Sequence, residues 1–364
     1  MTDRVAVGMI GTSWYADRMH LPALKSHEGA RLVAICGRDQ MRARELAGKY
    51  EIPNVYSDWR VMLQRGDLDA VVVAVPDDLH FAITMTALDA GLHVLCEKPL
   101  AFSLQQAETM LAKAESAGVR HMTYFTWRWV PHIQYLRQLV DQGYIGRCYD
   151  VQLHYVGSYA RGAAPGWKWD RQHGLGVLGD LGSHMIDLGR LLVGEMTQVQ
   201  ASLSVRVDKH DAQGASFEPA NDSASLILRF ANGATGGMFV SAAADLGDLG
   251  QEMRIVLHGD KGTLEAYANA STQIVSGLHD GASEFRVLPV PESILGGIDQ
   301  SASLWRQQFP RLFTEQPVGT RLFIDSILAG TPVSPSFRDG MKAQAVIEAA
   351  FESDLTGCWA DVKA

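Results

Sequence analysis

A short apolar segment, His93–Cys96, lies between two helical patterns and ends directly in Glu97-Lys98-Pro99. The first third of the chain repeats this alternation of short apolar segments with helical ones, and the predicted helices include Tyr15–Lys25, Phe81–Ala90 and Leu104–Ala117. The predicted strands are Arg4–Ile10, Leu32–Cys36, a short one near Val55, Asp69–Val75, His93–Cys96 and Val119–Phe125. Strands that alternate with helices form right-handed crossovers, and near-continuous apolar strands are typical of a parallel sheet covered on both faces. The pattern predicts a doubly wound α/β domain, which we assign to residues 1–124.

The turn after the first strand, Gly11–Ala16, is close to the dinucleotide fingerprint GxGxxG/A. Gly11 permits a tight turn, Ala16 permits close packing of helix on strand, and the helix N-terminus can face a pyrophosphate. Ser13 stands where a second glycine is usual. Its hydroxyl can donate to phosphate, or its bulk can weaken binding. The candidate cofactor contacts in this turn are Gly11, Thr12, Ser13 and Trp14.

The second strand ends in Gly37-Arg38, where enzymes that prefer NAD usually place a carboxylate for the ribose 2′-hydroxyl. This chain offers arginines instead: Arg38, and Arg42 one helical turn further on. Two guanidinium groups can bind a 2′-phosphate. We therefore add Gly37, Arg38 and Arg42 to the cofactor contacts and favour NADP(H), with NAD(H) as the alternative. The competing interpretation is a pair of solvated arginines at a helix start.

Ligands of open α/β sheets bind beyond the carboxyl ends of the strands, so two further strand ends are of interest. Glu97 and Lys98 follow one predicted strand, and Pro76 and His80 follow another. All four are candidate cofactor contacts. A surface lysine in a loop and a turn histidine without a role are the competing interpretations.

Beyond residue 125 the pattern changes to many short strands joined by Gly, Asn and Asp turns. Such a pattern predicts hairpins and a mainly antiparallel sheet, in a second domain that we assign to residues 125–364. The predicted strands are Arg147–Val156, Gln198–Val207, Asp222–Phe230, Thr235–Ala243, Arg254–His258, Thr263–Ala266 and Glu284–Leu288. The predicted helices are Pro131–Gln142, one that starts near Asp180, Ser301–Leu328 and Gly340–Leu355. Few helices are thus available to cover both faces of this sheet.

A helix that starts near Asp180 places Asp180 and His184 on one face, with Asp187 one turn further. Such a pair is often only a surface or capping interaction. Aromatic groups flank it, and indole rings stack on carbohydrate, although tryptophan serves equally well as a core or interface anchor. The candidate substrate contacts are Arg128, Trp167, Trp169, Asp170 and His173, followed by Tyr159 and Arg161.

Composition excludes several classes of function. The formal net charge of −9 disfavours sequence-independent binding to nucleic acid, which needs clustered positive charge. The four cysteines are widely spaced without a CxxC pair, so neither a zinc site nor a disulfide framework is indicated and we expect no metal. No run of about 18 apolar residues occurs, so we expect no membrane span and a cytoplasmic location.

Taken together, these motifs resemble those of the Gfo/Idh/MocA family, the group of glucose–fructose oxidoreductase and inositol dehydrogenase. The matching segments are VGMIGTSWYA, VPDDLH, AGLHVLCEKPLA, WRWVP, GVLGDLGSHMIDL and Pro335–Gly340, in family order along nearly the whole chain. The resemblance implies a Rossmann domain followed by an α/β domain built on a large, open, mainly antiparallel sheet. It also implies that the uncovered face of this sheet pairs with another subunit in a homodimer or homotetramer.

The resemblance further implies hydride transfer between nicotinamide and a secondary alcohol, often on a sugar or cyclitol, with Lys98, Asp180 and His184 as the catalytic residues. Oxidation of an alcohol needs a base for the hydroxyl proton, and histidine suits that task. We assign His184 as general acid/base, Lys98 as oxygen polariser and proton partner, and Asp180 as substrate anchor; the proton roles of Lys98 and His184 can be exchanged. The alternatives on the same fold are a glycoside hydrolase with a recycled NAD and a non-enzymatic nucleotide-sensing regulator.

Overall fold

The computed structural model describes residues 4–162, 166–209, 217–279, 281–298 and 305–363. The chain forms two compact units. The first contains the residues up to Phe125 together with Phe309–Gln344, and the second contains Thr126–Gln308 and Ala345–Ala364. This division differs from the ranges 1–124 and 125–364 expected from the sequence, because a late segment of the chain returns to the first unit.

The first unit is built on a six-stranded parallel sheet with the strand order β3-β2-β1-β4-β5-β6. The strands are β1 (Val5–Ile10), β2 (Ala30–Cys36), β3 (Asn54–Tyr56), β4 (Ala70–Val73), β5 (His93–Cys96) and β6 (His121–Thr123). The helices between them are α1 (Leu21–Ser26), α2 (Gln40–Tyr50), α3 (Trp59–Leu63), α4 (Asp77–Asp89) and α5 (Leu104–Ala117). This is the doubly wound Rossmann arrangement, and it confirms the predicted fold class.

Side-chain caps fix where the helices of the first unit begin. Asp39 accepts hydrogen bonds from the backbone N–H groups of Met41 and Arg42 at the start of α2. Ser103 accepts one from Gln106 at the start of α5. These caps satisfy N–H groups that have no partner within the helix. The segments that follow β2 and β5 are therefore fixed where they enter α2 and α5.

The late segment of the first unit covers part of this sheet. The closing helices are α9 (Trp305–Glu315), α10 (Thr320–Ala329) and α11 (Phe337–Thr356), and α10 contacts β1 and β5. Gly319 divides the predicted helix Ser301–Leu328 in two, since its φ is +57° and a Cβ there would lie 2.9 Å from the hydroxyl of Tyr124. Residues 301–304 of that prediction lie outside the described residues.

The second unit is built on a nine-stranded sheet with the order β14-β13-β12-β11-β7-β10-β9-β8-β15. The strands are β7 (Cys148–Gly157), β8 (Met196–Ser204), β9 (Ser223–Phe230), β10 (Thr235–Ser241), β11 (Gln251–Gly259), β12 (Gly262–Asn269), β13 (Gln273–His279), β14 (Arg286–Val287) and β15 (Ala360–Asp361). Only β7 and β10 pair in parallel, so the predicted, mainly antiparallel sheet is confirmed. The sequence analysis missed β13, in which Gly277 and polar residues weaken the strand pattern.

The two faces of this sheet differ. The helices of this unit include α6 (Pro131–Asp141), α7 (Ser183–Leu192) and α8 (Glu292–Leu295), and α7 packs on β7, where a Cβ on Gly189 would lie 3.0 Å from Leu153. Ile227 and Phe239 point to the opposite face and are exposed. No helix in the described part of the chain has the length and apolar character needed to cross a membrane.

Candidate active site

The dinucleotide turn after β1 requires glycine at its first position. Gly11 has a φ of +119°, and a Cβ there would lie 2.0 Å from the carbonyl oxygen of Ala74. A helix begins at Trp14, and the hydroxyl oxygen of Ser13 accepts a hydrogen bond of 3.2 Å from the backbone N–H of Ala16. Because that oxygen acts as the acceptor, the Ser13 proton is left to donate to another group, such as a phosphate oxygen. The turn therefore fits the pyrophosphate of a dinucleotide.

The helix after this turn is not the regular α-helix predicted for Tyr15–Lys25. Ala16–His20 form a π-helical turn, in which the N–H of Leu21 donates to the carbonyl of Ala16. Single π turns of this kind are frequent at functional sites. His20, the last residue of the turn, is fully buried.

The end of β2 is crowded on one side. A Cβ on Gly37 would lie 2.4 Å from the Thr12 side chain, so Thr12 fills the space that a carboxylate at position 37 would need. Asp39, two residues further along the chain, is engaged in capping α2. Arg38 is exposed, and we find no side-chain partner for it among the described residues.

Arg42, the second arginine predicted to hold a 2′-phosphate, is engaged elsewhere. Its guanidinium pairs with Asp17 at 2.7 Å and with Glu45 at 2.7 Å. Both carboxylates raise the pKa of the Arg42 side chain. The two arginines therefore differ in their surroundings: Arg42 is ion-paired and Arg38 is exposed. Binding of a 2′-phosphate by the two arginines stays a prediction.

Lys98 is half-buried directly beyond β5, as the sequence predicted. The neighbouring carboxylate of Glu97 is buried. One of its oxygens lies 2.9 Å from Nε2 of His20, and the other accepts a 3.3 Å hydrogen bond from the backbone N–H of Lys98. The peptide bond between Lys98 and Pro99 is cis. Glu97 is thus held inside the protein and supports the segment Glu97–Pro99, which we call the Lys98 turn.

His80 requires a correction. It was a candidate cofactor contact, but its ring is fully buried and its two nitrogens lie 2.8 Å and 3.0 Å from the carbonyl oxygens of Pro99 and Val75. Burial lowers the pKa of His80, and the bonds to the two carbonyls oppose that shift in part. The ring therefore bridges the turns after β4 and β5. Pro76 is half-buried and immediately precedes α4.

In the second unit, Asp180 and His184 lie on one continuous helix. The helix contains a second π turn, Leu178–Gly182, that runs directly into α7. Asp180 is in the π turn and partly exposed, whereas His184 is in the first turn of α7 and buried. The predicted spacing of the two side chains along a helix is therefore present.

Two residues that surround Asp180 had not been connected with it in the sequence analysis. One carboxylate oxygen of Asp180 accepts hydrogen bonds from the hydroxyl of Tyr159 at 2.8 Å and from Nζ of Lys168 at 2.9 Å. Burial, and then the charge of Asp180, raises the pKa of Tyr159 well above its usual range, so the phenol remains a donor. Lys168 lies in the Trp167–Asp170 segment, and its amino group is 5.6 Å from the Tyr159 ring centre.

Arg128 and Asp187 form a buried ion pair. The guanidinium donates to the two carboxylate oxygens of Asp187 at 2.7 Å and 2.5 Å, and the side chains are 10% and 1% exposed. Arg128 had been a candidate substrate contact. Its charge is instead matched within the protein, and the pair ties residue 128 to α7.

The other candidate substrate residues fall into two groups. Trp169 is buried beneath the amino group of Lys209, which lies 4.6 Å from its ring centre. Asp170 accepts a hydrogen bond from the N–H of Gln172 and shapes the local turn. Trp167 and His173 are exposed. Substrate contact by these residues stays a prediction.

Comparison with known proteins identifies the chain. The model of the oxidoreductase family with NAD-binding Rossmann fold, Gfo/Idh/MocA, matches residues 5–125, and the model of the Gfo/Idh/MocA C-terminal domain matches residues 133–265. The chain belongs to the Gfo/Idh/MocA family. Levoglucosan dehydrogenase of Pseudarthrobacter phenanthrenivorans is 28% identical over 88% of this chain and 86% of that protein. D-Glucoside 3-dehydrogenase of Escherichia coli is 30% identical over 62% of this chain and 67% of that protein.

A solved structure of levoglucosan dehydrogenase in complex with NADH and levoglucosan has the same fold, with a TM-score of 0.89 and 25% identity over the full length of both chains. Family membership confirms the resemblance found in the sequence and the prediction of an oxidoreductase. It also confirms an N-terminal domain of the NAD-binding type. It does not decide between NAD(H) and NADP(H).

Proposed function

We propose that this member of the Gfo/Idh/MocA family is a dehydrogenase that transfers hydride between a nicotinamide cofactor and a secondary alcohol or ketone of a sugar, sugar derivative or inositol. The observation that carries the proposal is the pair of built sites: a dinucleotide turn with Lys98 beyond β5 in one unit, and Asp180 with His184 on one helix in the other. The names of the relatives, levoglucosan dehydrogenase and D-glucoside 3-dehydrogenase, support a carbohydrate substrate.

The roles follow from the chemistry of the side chains. Bound nicotinamide supplies the hydride acceptor or donor. Lys98 holds the developing alkoxide electrostatically, and His184 takes the hydroxyl proton or returns it. Asp180 accepts a hydrogen bond from a second hydroxyl of the substrate. Lys168 and Tyr159 both bond to one oxygen of Asp180 and so hold the carboxylate in place for that contact.

The test is the turnover of Lys98→Met in the purified protein, assayed with a panel of sugars and polyols by nicotinamide absorbance. We expect a loss of about 10²–10⁴-fold, with cofactor affinity unchanged. Lys113→Met is the matched control, because Lys113 is a surface lysine of α5 paired with Asp89. Near-normal turnover of Lys98→Met would refute the catalytic role. Substrate cleavage without net nicotinamide reduction would indicate the glycoside hydrolase alternative.

For the cofactor, we propose that NADP(H) is preferred and that Arg38 carries the preference. Position 37 has no carboxylate, Thr12 fills the space for one, and Asp39 is engaged as a cap. Fluorescence titration with NADPH and NADH measures the ratio of affinities. Arg38→Ala should lower the ratio of NADPH to NADH affinity by about tenfold, which is the contribution of one hydrogen bond to a charged group. Arg44→Ala is the control, because Arg44 is also exposed, and it should leave the ratio unchanged. A preference for NADH in the unmodified protein would refute this assignment.

We also propose that the exposed face of the nine-stranded sheet pairs with a second copy of the chain. Ile227 and Phe239 lie on this face at 53% and 39% exposure, and Phe239 stacks on His154. A monomer in light scattering would contradict the pairing.

The four cysteines are free thiols, which suits a reducing compartment such as the cytoplasm.

A further inference from the structure

The Lys98 turn is held on both sides by buried imidazole rings. On one side, Nε2 of His20 lies 2.9 Å from Glu97, whose second oxygen accepts a hydrogen bond from the backbone N–H of Lys98. On the other side, Nδ1 of His80 lies 2.8 Å from the carbonyl oxygen of Pro99. The two residues that flank Lys98 are therefore bonded to the interior of the first unit.

His20 is itself fixed from two directions. Its Nδ1 lies 2.8 Å from the hydroxyl oxygen of Thr320, the first residue of α10, and the ring centre of Tyr124 is 4.5 Å away. His20, Thr320 and Tyr124 are all fully buried. A carboxylate only accepts hydrogen bonds, so Nε2 of His20 donates to Glu97, while Nδ1 is held by the Thr320 hydroxyl.

The contact between His20 and Glu97 matters because the Glu97 carboxylate is buried. A carboxyl group removed from water needs hydrogen-bond partners, and one that loses a partner moves toward water or takes up a proton. Each oxygen of the Glu97 carboxylate has a partner, His20 for one and the backbone N–H of Lys98 for the other. Movement of Glu97 would therefore move the backbone that carries the Lys98 side chain.

We propose that His20 is a positioning residue for Lys98 and acts through Glu97. The inference rests on the catalytic role proposed above for Lys98. The π turn that follows the dinucleotide turn, the Lys98 turn and α10 all meet at this one ring, since His20 ends that π turn. Displacement of a reacting group by about 1 Å is enough to cost a factor of roughly 10² in rate.

The test is the kinetics of His20→Leu in the full-length protein. We expect the turnover number to fall by about 10- to 100-fold while the KM for substrate and the Kd for cofactor stay within about threefold. His20→Gln keeps an N–H donor directed at Glu97 and should recover most of the loss. Unchanged turnover in a folded His20→Leu protein would overturn the proposal.

A double-mutant cycle separates positioning from general damage. Once Lys98 is replaced by Met, there is no lysine left to position, so adding His20→Leu should lower the residual turnover by less than about threefold. An equal loss in both backgrounds would overturn the proposal. If Lys98→Met alone kept its turnover, the proposed function would fail first, and the two failures are thereby distinguished.

Two further variants guard against misfolding. Thr320→Val removes the hydroxyl that contacts His20 and also bonds to Tyr124, and it should give a smaller loss of turnover in the same direction. His27→Asn is the matched control, because His27 makes the same kind of bond, 2.9 Å to Asp325 in α10, away from the Lys98 turn. We expect it to lower the thermal midpoint without changing turnover. A loss of turnover in the control equal to that in Thr320→Val would also overturn the proposal.

Discussion

The fold holds the two candidate catalytic regions in different ways. Around Lys98 it holds the backbone, because the residues on either side are bonded to the buried rings of His20 and His80. Around Asp180 it holds the functional group itself, since the carboxylate accepts bonds from Tyr159 and Lys168. The first arrangement fixes the backbone from which the Lys98 side chain extends, and the second fixes the position of the Asp180 carboxylate.

The difference has energetic consequences. The supports of Lys98 are completely buried, so losing one leaves a polar group without water, at a cost of about 1–3 kcal/mol. Lys168 is 34% exposed, and exposed ion pairs contribute roughly 0–1 kcal/mol to stability. Changes near Lys98 should therefore affect the fold and the turnover number together. Changes near Asp180 should alter substrate binding while the fold stays intact.

The helix that carries Asp180 and His184 repeats this contrast between its two ends. Asp180 faces partly exposed partners, whereas Asp187 is paired with Arg128 in the interior. Replacing Arg128 by Met leaves a buried carboxylate without its guanidinium. We expect the free energy of unfolding, measured by urea denaturation, to fall by about 3–5 kcal/mol, the largest effect predicted outside catalysis.

A second substitution checks the cause of this loss. In Arg128→Met combined with Asp187→Leu no unpaired charge remains, so most of the stability should return. The opposite pattern, normal stability of Arg128→Met with a raised KM, would restore Arg128 as a substrate contact. It would also remove the contrast between the two ends of the helix.

Local pattern was enough to predict much of the fold and the core of the site. The strand His93–Cys96 and the helix Leu104–Ala117 were predicted with the bounds that the structure shows, because apolar runs and helical periodicity are local signals. Lys98 follows from the same reasoning, since a strand end in a parallel sheet is a predictable place. Asp180 and His184 were identified from their spacing and a family motif.

What the sequence could not provide are the partners of these residues. His20 bonds to Thr320, 300 positions away, and no local pattern connects the two. The buried pairing of Arg128 with Asp187 spans 59 positions, which is why Arg128 was interpreted as a substrate contact. Both π turns were missed because a π turn differs from an α-helix by a single inserted residue, which hydrophobic periodicity does not detect.

The smallest predicted effect concerns the partly exposed cluster around Asp180. Lys168→Met removes a charged donor to the Asp180 carboxylate, so the carboxylate is held less firmly toward a substrate hydroxyl. We expect the KM for the sugar to rise by about tenfold with the turnover number nearly unchanged, the signature of lost uniform binding. The free energy of unfolding should change by less than about 1 kcal/mol.

Lys363→Met serves as the control, because Lys363 belongs to the same unit and pairs with Glu352 at the surface. It should leave both kinetic constants unchanged. Tyr159→Phe removes the other donor to Asp180, and because burial keeps that phenol protonated, its effect should not vary with pH near neutrality. A fall in turnover number without a change in KM in Lys168→Met would mean that Asp180 acts in the chemical step. The Lys98 turn and the residues around Asp180 would then both serve the chemical step, and the distinction drawn between them would be wrong.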